Sequence, residues 1–234
     1  MKEYVIILML FLGIRSNMAD YSEDQIINAE LNAMANSDNG ASFYNEVLNE
    51  ASNHWGVDPI ELQGMLDKIA YHESAHSMDP TVKQLSGGPG RGLFQFEIGQ
   101  GQGGATAARR MFNHVHSVNK KGGNMALPDW VNEAIKVQGG DITDFDASVL
   151  DKNAQYALMV ANLRQDPKAT AEVISNIKNN DDLTEFWMNT HWKGHDANKD
   201  GIISNAEKQK IADKRRSFKD SSEHFDYNYP EGMK

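Results

Sequence analysis

Glu73 stands between two histidines, in Tyr71-His72-Glu73-Ser74-Ala75-His76, and this arrangement admits two chemistries. In the first, Glu73 works alone. The residues before it carry helix signals: Asp58 as N-cap, Pro59 at the first helical position, and Leu62, Met65, Leu66 and Ile69 at apolar helical spacing. Projected on that helix, Glu73 falls within the apolar stripe. Burial penalises the charged form of a carboxyl group, and a carboxylic acid that holds its proton near neutral pH is what a general acid needs. The plainer alternative is a helix-terminal Glu that turns to solvent or caps a loop. In the second chemistry, His72 and His76 match H-E-x-x-H, whose two histidines bind zinc from one helix face while the Glu serves as base for a zinc-bound water. That site needs a third protein ligand, for which His114, His116, His191 and His195 are available. Asp79-Pro80 closes the helix soon after His76, and no recognised third-ligand pattern follows.

A different oxygen-rich pattern lies further along, in Asp196-Ala197-Asn198-Lys199-Asp200-Gly201-Ile202-Ile203-Ser204-Asn205-Ala206-Glu207. It fits the EF-hand loop at each diagnostic position. Asp196, Asn198 and Asp200 supply side-chain oxygens, and Gly201 permits the sharp turn. Ile202 offers its backbone carbonyl, Ser204 reaches the ion directly or through water, and Glu207 closes the site with two oxygens. Helix-like stretches flank the loop at 183–192 and 206–218. No second loop is present to pair with it, which points to one structural Ca²⁺ locking a helix pair rather than to a calcium switch. Gly99-Gln100-Gly101-Gln102-Gly103-Gly104 matches G-x-G-x-x-G, but without a βαβ unit or a downstream acidic residue it reads as a glycine loop edging a cleft. Trp187 and Trp192 could stack on sugar faces; Trp187 reads better as core, and Trp192 fits either role.

The elements that must position these groups are mainly helical. Helix patterns cover 23–34, 42–55, 58–76, 105–115, 128–136, 151–165, 169–179 and 182–192. The strand signal lies in 81–98, broken by a tight turn at Gly87-Gly88-Pro89-Gly90, which makes a short hairpin beside the helix that ends near Glu73.

Apolar residues are 40% of the 234-residue chain and charged residues 24%, the balance of an ordinary soluble globular protein. The net charge of −10 argues against a nucleic-acid tracker, which shows a basic surface. There is no cysteine, so disulfides and thiolate metal sites are excluded. An apolar run over 4–14, after Lys2, has the length of a signal-peptide core and is too short for a spanning helix, but Glu3, Arg15 and the lack of a small-residue cleavage site leave 1–17 open as a signal, an anchor or an extraneous upstream segment. No stable membrane span is expected.

Glu73-Ser74, then Asp79-Pro80, then Ser86 and Gly90-Arg91-Gly92-Leu93-Phe94-Gln95 resemble the pattern of the lytic transglycosylases, which share their architecture with goose-type lysozyme. The stretch 87–97 looks especially like phage-encoded, virion-associated members. The close match covers about a tenth of the chain, and a looser one runs over 58–194. The resemblance implies a mainly α (α+β lysozyme-like) fold: a helical region over 18–56 packed on a catalytic domain over 57–194, then an EF-hand-like loop and exiting helix over 195–220 and an extended tail over 221–234. It implies that Glu73 is the single acid/base cleaving the bond between N-acetylmuramic acid and N-acetylglucosamine in peptidoglycan, and that Ser86, Phe94 and Gln95 line the sugar cleft. It also implies glycan strands as substrate, other virion proteins as partners, and action on a host cell wall; a secreted or periplasmic setting is the alternative. Some members carry one EF-hand-like Ca²⁺ site. The chain departs from the pattern in places: Pro89 and Gly90 stand for Gly-Ala, and Phe94 for Met. The Ala-Tyr-Asn-Ala-Gly segment, whose Tyr supports the Glu, is missing, and His191 in Thr190-His191-Trp192-Lys193-Gly194 is the best candidate for its place. These departures keep two alternatives open: a hydrolytic lysozyme using the same Glu73 with Asp79 or Glu97, and a non-catalytic glycan-binding or structural virion protein.

Overall fold

In the computed structural model, residues 39–84, 87–98, 103–128, 145–190 and 204–225 are described. They are 67% helical, in seven α-helices, with one two-stranded antiparallel sheet, so the mainly α expectation holds at that level. The order is α1 (Asn39–Trp55), α2 (Pro59–Glu73), β1 (Gly90–Arg91), β2 (Phe96–Glu97), α3 (Gly103–Lys120), a 3-10 turn (Ala147–Val149), α4 (Lys152–Arg164), α5 (Ala171–Ser175), α6 (Asn180–Thr190) and α7 (Asn205–His224). The expected segments 1–17 and 23–34, all but the first residue of 128–136, and the tail from 226 onward lie outside the described residues.

Local chemistry sets the boundaries that matter for the site. The Asp58 carboxylate accepts from Ile60 N–H at 2.7 Å and Pro59 follows, so α2 starts where its cap signal puts it. It stops at Glu73, three residues short of the expected 58–76 segment, because Ala75 and His76 take left-handed backbone geometry at φ 51° and 70°. Asp151 caps α4 by accepting from Ala154 N–H at 2.7 Å. The helix expected over 206–218 runs on to His224, so the first four residues of the tail expected over 221–234 are helical rather than extended.

The core is built around α4, in which every residue from Ala154 to Ala161 is buried. A helix buried all round is a central one. Both α1 and α3 pack on α4, α2 packs on α1 and α7, and α7 also packs on α6. Polar ties run through this apolar assembly. The Glu50 carboxylate accepts from Arg164 Nε and Nη2 at 3.1 and 2.9 Å and lies 3.4 Å from His114 Nε2, which joins α1, α4 and α3. Burial pushes the Glu50 carboxyl up, but Arg164 and His114 outweigh it and hold the group below its ordinary value. Burial, with help from Arg164, keeps His114 below its ordinary value against the pull of Glu50. Asp67, also buried, accepts from Tyr156 and from Gln63 Nε2 at 3.0 Å.

The strand region 81–98 makes two turns rather than the single one expected. Lys83 bridges Arg91, so 87–89 carries the chain from this line back into β1, as the glycines suggested. A second reversal follows at 92–95, between β1 and β2, which pair Gly90 with Glu97 and Arg91 with Phe96. Gln155 of α4 explains it: its Oε1 accepts from Leu93 N–H at 2.7 Å, while its Nε2 donates to the Pro80 and Leu150 carbonyls. Gly92, at φ 72°, sits so close that a Cβ there would lie 2.2 Å from the Gln155 oxygen. No helix among the described residues is long and apolar enough to cross a membrane.

Candidate functional site

Glu73 is the last residue of α2, and its Oε1 accepts a hydrogen bond from Trp187 Nε1–H at 2.7 Å. Trp187 comes from α6 and is 1% exposed. Its indole stacks on Phe218 of α7 (centroids 4.5 Å, 17°) and meets the His72 ring edge-on at 4.9 Å. His72 also meets Phe218 edge-on at 5.0 Å. Three helices therefore fix the donor that fixes Glu73.

After Glu73 the chain winds through a tight segment. Ser74 is buried, and its Oγ accepts from Met78 N–H at 3.0 Å, while Ser77 Oγ donates to the Ser74 carbonyl at 2.8 Å. Ala75, His76 and Met78 all have φ between 51° and 70°. Left-handed geometry costs a non-glycine residue about 1 kcal/mol or more, and such residues gather at functional sites. The winding lays the His76 ring flat on Tyr71 (4.4 Å, 11°) and brings its Nε2 within 3.0 Å of Ser221 Oγ on α7. His72 Nδ1 is 3.0 Å from the same oxygen.

A cleft of about 960 Å³ opens along these groups. Glu73 with His72 and His76 makes one wall, Gln84 and Gln95 a second, and α7 a third. Gln95 lines this cleft, its Nε2 donating to the Gly92 carbonyl at 2.8 Å. Phe94, expected beside it on the sugar cleft, is fully buried instead. Its ring packs edge-on against Tyr156 at 5.1 Å and near Phe96 at 6.0 Å, because the turn that presents Gln95 drives its neighbour into the α4 core. Asp79 and Glu97, weighed as second carboxylates, do not line the cleft. The Asp79 carboxylate accepts from Thr81 N–H and Oγ1–H at 2.8 Å each, and these bonds hold it below its ordinary value. Asp213 and Asp220 of α7 do line it.

The H-E-x-x-H spacing does not put its two histidines on one helix face. The helix ends between its two histidines, and both rings turn to Ser221. His114 is committed to Glu50, and the His116 ring is stacked over Phe112 (6.5 Å, 2°). Among the described residues, no group of three or more histidines and carboxylates could hold a metal.

Ser86, His191, Asp196, Asn198, Asp200 and Ile202 lie outside the described residues, as does His195. The last two loop positions are described. Ser204 Oγ accepts from Glu207 N–H at 3.3 Å, and Glu207 Oε2 accepts from Ser204 N–H at 2.8 Å, a reciprocal capping box that starts α7. Their oxygens are of the kind a hard cation takes, yet both residues have a structural task that needs no ion. Ser204→Ala is therefore expected to lower stability by about 1 kcal/mol, measured by urea unfolding in excess EGTA; no change there would deny the cap its role.

Two contributors to the site escaped the sequence reading. Trp187 is buried, as its sequence context suggests, and its donor role comes from the fold. A signal existed, since a buried indole N–H needs an acceptor. The α7 face carrying Phe218 and Ser221 gave no signal of what it covers. Comparison of the chain with protein-family models, with curated proteins and with solved structures yields no match.

Proposed function

We propose that the chain is a lytic transglycosylase of lysozyme-like fold that cleaves the β-1,4 bond between N-acetylmuramic acid and N-acetylglucosamine in peptidoglycan. The observation that carries this reading is a carboxyl group on the wall of an open cleft, held in place by a buried indole N–H, with Gln95 lining the same cleft. The Glu-Ser and Gly-Leu-Phe-Gln resemblance supplies the substrate class. Glu73 gives its proton to the glycosidic oxygen as the bond to the muramic acid C1 breaks. The carboxylate then takes the proton of that sugar's 6-hydroxyl, whose oxygen closes on C1 to leave a 1,6-anhydro ring. No water enters, so the usual pair of carboxylates is not required. Trp187 gives Glu73 the hydrogen bond that the resemblance assigns to the family's missing Tyr. Mass spectrometry of muropeptides released from purified peptidoglycan tests the reading: anhydro products support it, and no product from the wild type sinks it in favour of a glycan-binding or structural protein.

One observation favours a second outcome. Asp213 and Asp220 share the cleft with Glu73, so either is the carboxylate to examine if the products are one water heavier, as in a hydrolytic lysozyme.

The loop 196–207 is proposed to bind one structural Ca²⁺ through Asp196, Asn198, Asp200, Ile202, Ser204 and Glu207. Removing an ion held a hundredfold above its dissociation constant costs the native state about 2.7 kcal/mol. EGTA should then lower the melting temperature by about 5–10 °C, and an unchanged melting curve would contradict a structural ion. The resemblance of 87–97 to virion-associated members supports action from a phage particle on its host's wall.

A further inference from the structure

We infer that Ser221 is a positioning residue for Glu73, and that α7 takes part in the reaction machinery rather than merely walling the cleft. This rests on the proposed role of Glu73. Ser221 is 5% exposed and makes three contacts: with Ser217 O at 2.9 Å, His72 Nδ1 at 3.0 Å and His76 Nε2 at 3.0 Å.

Counting protons assigns the directions. A serine hydroxyl has one proton to give and two lone pairs to receive with. The Ser217 carbonyl can only accept, so the Ser221 proton goes there, as is common for serine within a helix. Both lone pairs then face histidine nitrogens, which must each carry a proton. His72 is fixed as the Nδ1–H form and His76 as the Nε2–H form. The hydroxyl therefore clamps two rings that flank Glu73 in the chain, His72 in the last turn of α2 and His76 within the left-handed segment that follows.

The clamp reaches Glu73 by a short route. His72 precedes Glu73 in the chain and presses edge-on against Trp187, whose N–H holds the Glu73 carboxyl. Phe218, three residues before Ser221 on the same helix, backs both His72 and Trp187. Release of the His72 ring frees it to rotate away from the indole and loosens the donor. Release of His76 removes the outer anchor of the segment that ends α2. A carboxyl that must first donate and then accept a proton at one sugar depends on such placement, since small misplacements of a reacting group are costly.

The test uses the full chain with Ser221→Ala and Ser221→Thr. Side-chain ¹⁵N spectra of the histidines are expected to show His72 as Nδ1–H and His76 as Nε2–H in the wild type. Both signals should move, with mixed tautomers, in the Ala variant, and Thr should restore them. Muropeptide release should fall about tenfold in kcat in the Ala variant, the worth of one or two lost hydrogen bonds, with KM within about twofold, and Thr should recover it. Unmoved histidine signals in the Ala variant, or a wild-type kcat with active wild-type enzyme, would overturn the inference and leave the proposed function standing. Loss of kcat that only tracks the unfolded fraction, with Thr no better than Ala, would overturn it as well. A wild type that releases no product brings down the proposed function, and the inference with it, on that measurement alone.

Discussion

Glu73→Gln is expected to abolish muropeptide release while leaving the fold intact. The amide keeps the volume of the carboxyl, and its oxygen can still accept from the Trp187 N–H that Glu73 Oε1 now uses. Packing should therefore be kept and the melting temperature should stay within about 2 °C of the wild type, a change of at most about 1 kcal/mol. What the amide cannot do is give up a proton to a glycosidic oxygen or take one from a hydroxyl. General acid–base contributions are commonly 10²–10⁴-fold, and here one group would make both transfers, so the loss belongs at the upper end of about 10⁴. The comparison is made on purified peptidoglycan, with product masses read for both proteins. A variant that still releases product at the wild-type rate would remove Glu73 from the mechanism.

Trp187→Phe separates the two roles of the indole. Phenylalanine keeps an aromatic face for Phe218 and an edge for His72, so most of the cluster around the cleft survives. It loses the N–H that holds Glu73. A hydrogen bond to a charged group contributes about 1.5–3 kcal/mol; if that bond is stronger in the transition state than before it, kcat falls by about 10- to 100-fold with a modest effect on KM. Steady-state release from soluble glycan strands gives both parameters. Trp187→Ala, in contrast, should cost about 3–5 kcal/mol of stability by opening the core between α2, α6 and α7. An unaltered kcat in the Phe variant would reduce Trp187 to packing.

Features set by neighbours along the chain were readable from the sequence, and those set across the fold were not. Asp58 and Pro59 start α2 through their own backbone chemistry, so the cap was visible. Ser204 and Glu207 read in the sequence only as calcium-loop positions, because the same spacing serves a calcium loop and the capping box they make in the structure. The turn at 92–95 depends on Gln155, 62 residues beyond the amide it accepts from, and nothing near Gly92 announces it. Phe94 shows the limit of a resemblance: the family position implied a cleft residue, but the side chain buries where Tyr156 and Phe96 make room for an aromatic. Trp187 lies 114 residues from the carboxyl it holds, so its burial could be anticipated and its partner could not.

The long reach of these contacts has a consequence for how the protein comes into being. Ser221 meets His72 and His76 across separations of 149 and 145 residues. A growing chain that has emerged through α2 and the β-hairpin already contains Glu73 and Gln95, but neither the indole that orients the acid nor the helix that closes the third wall. A domain generally folds as a unit, so the proposed chemistry has to wait until α7 has left the ribosome and docked. Prematurely terminated chains, or chains clipped ahead of α7, would keep the acidic residue without its setting. On the proposed function, incomplete copies would therefore lack the wall-cleaving activity of the finished chain.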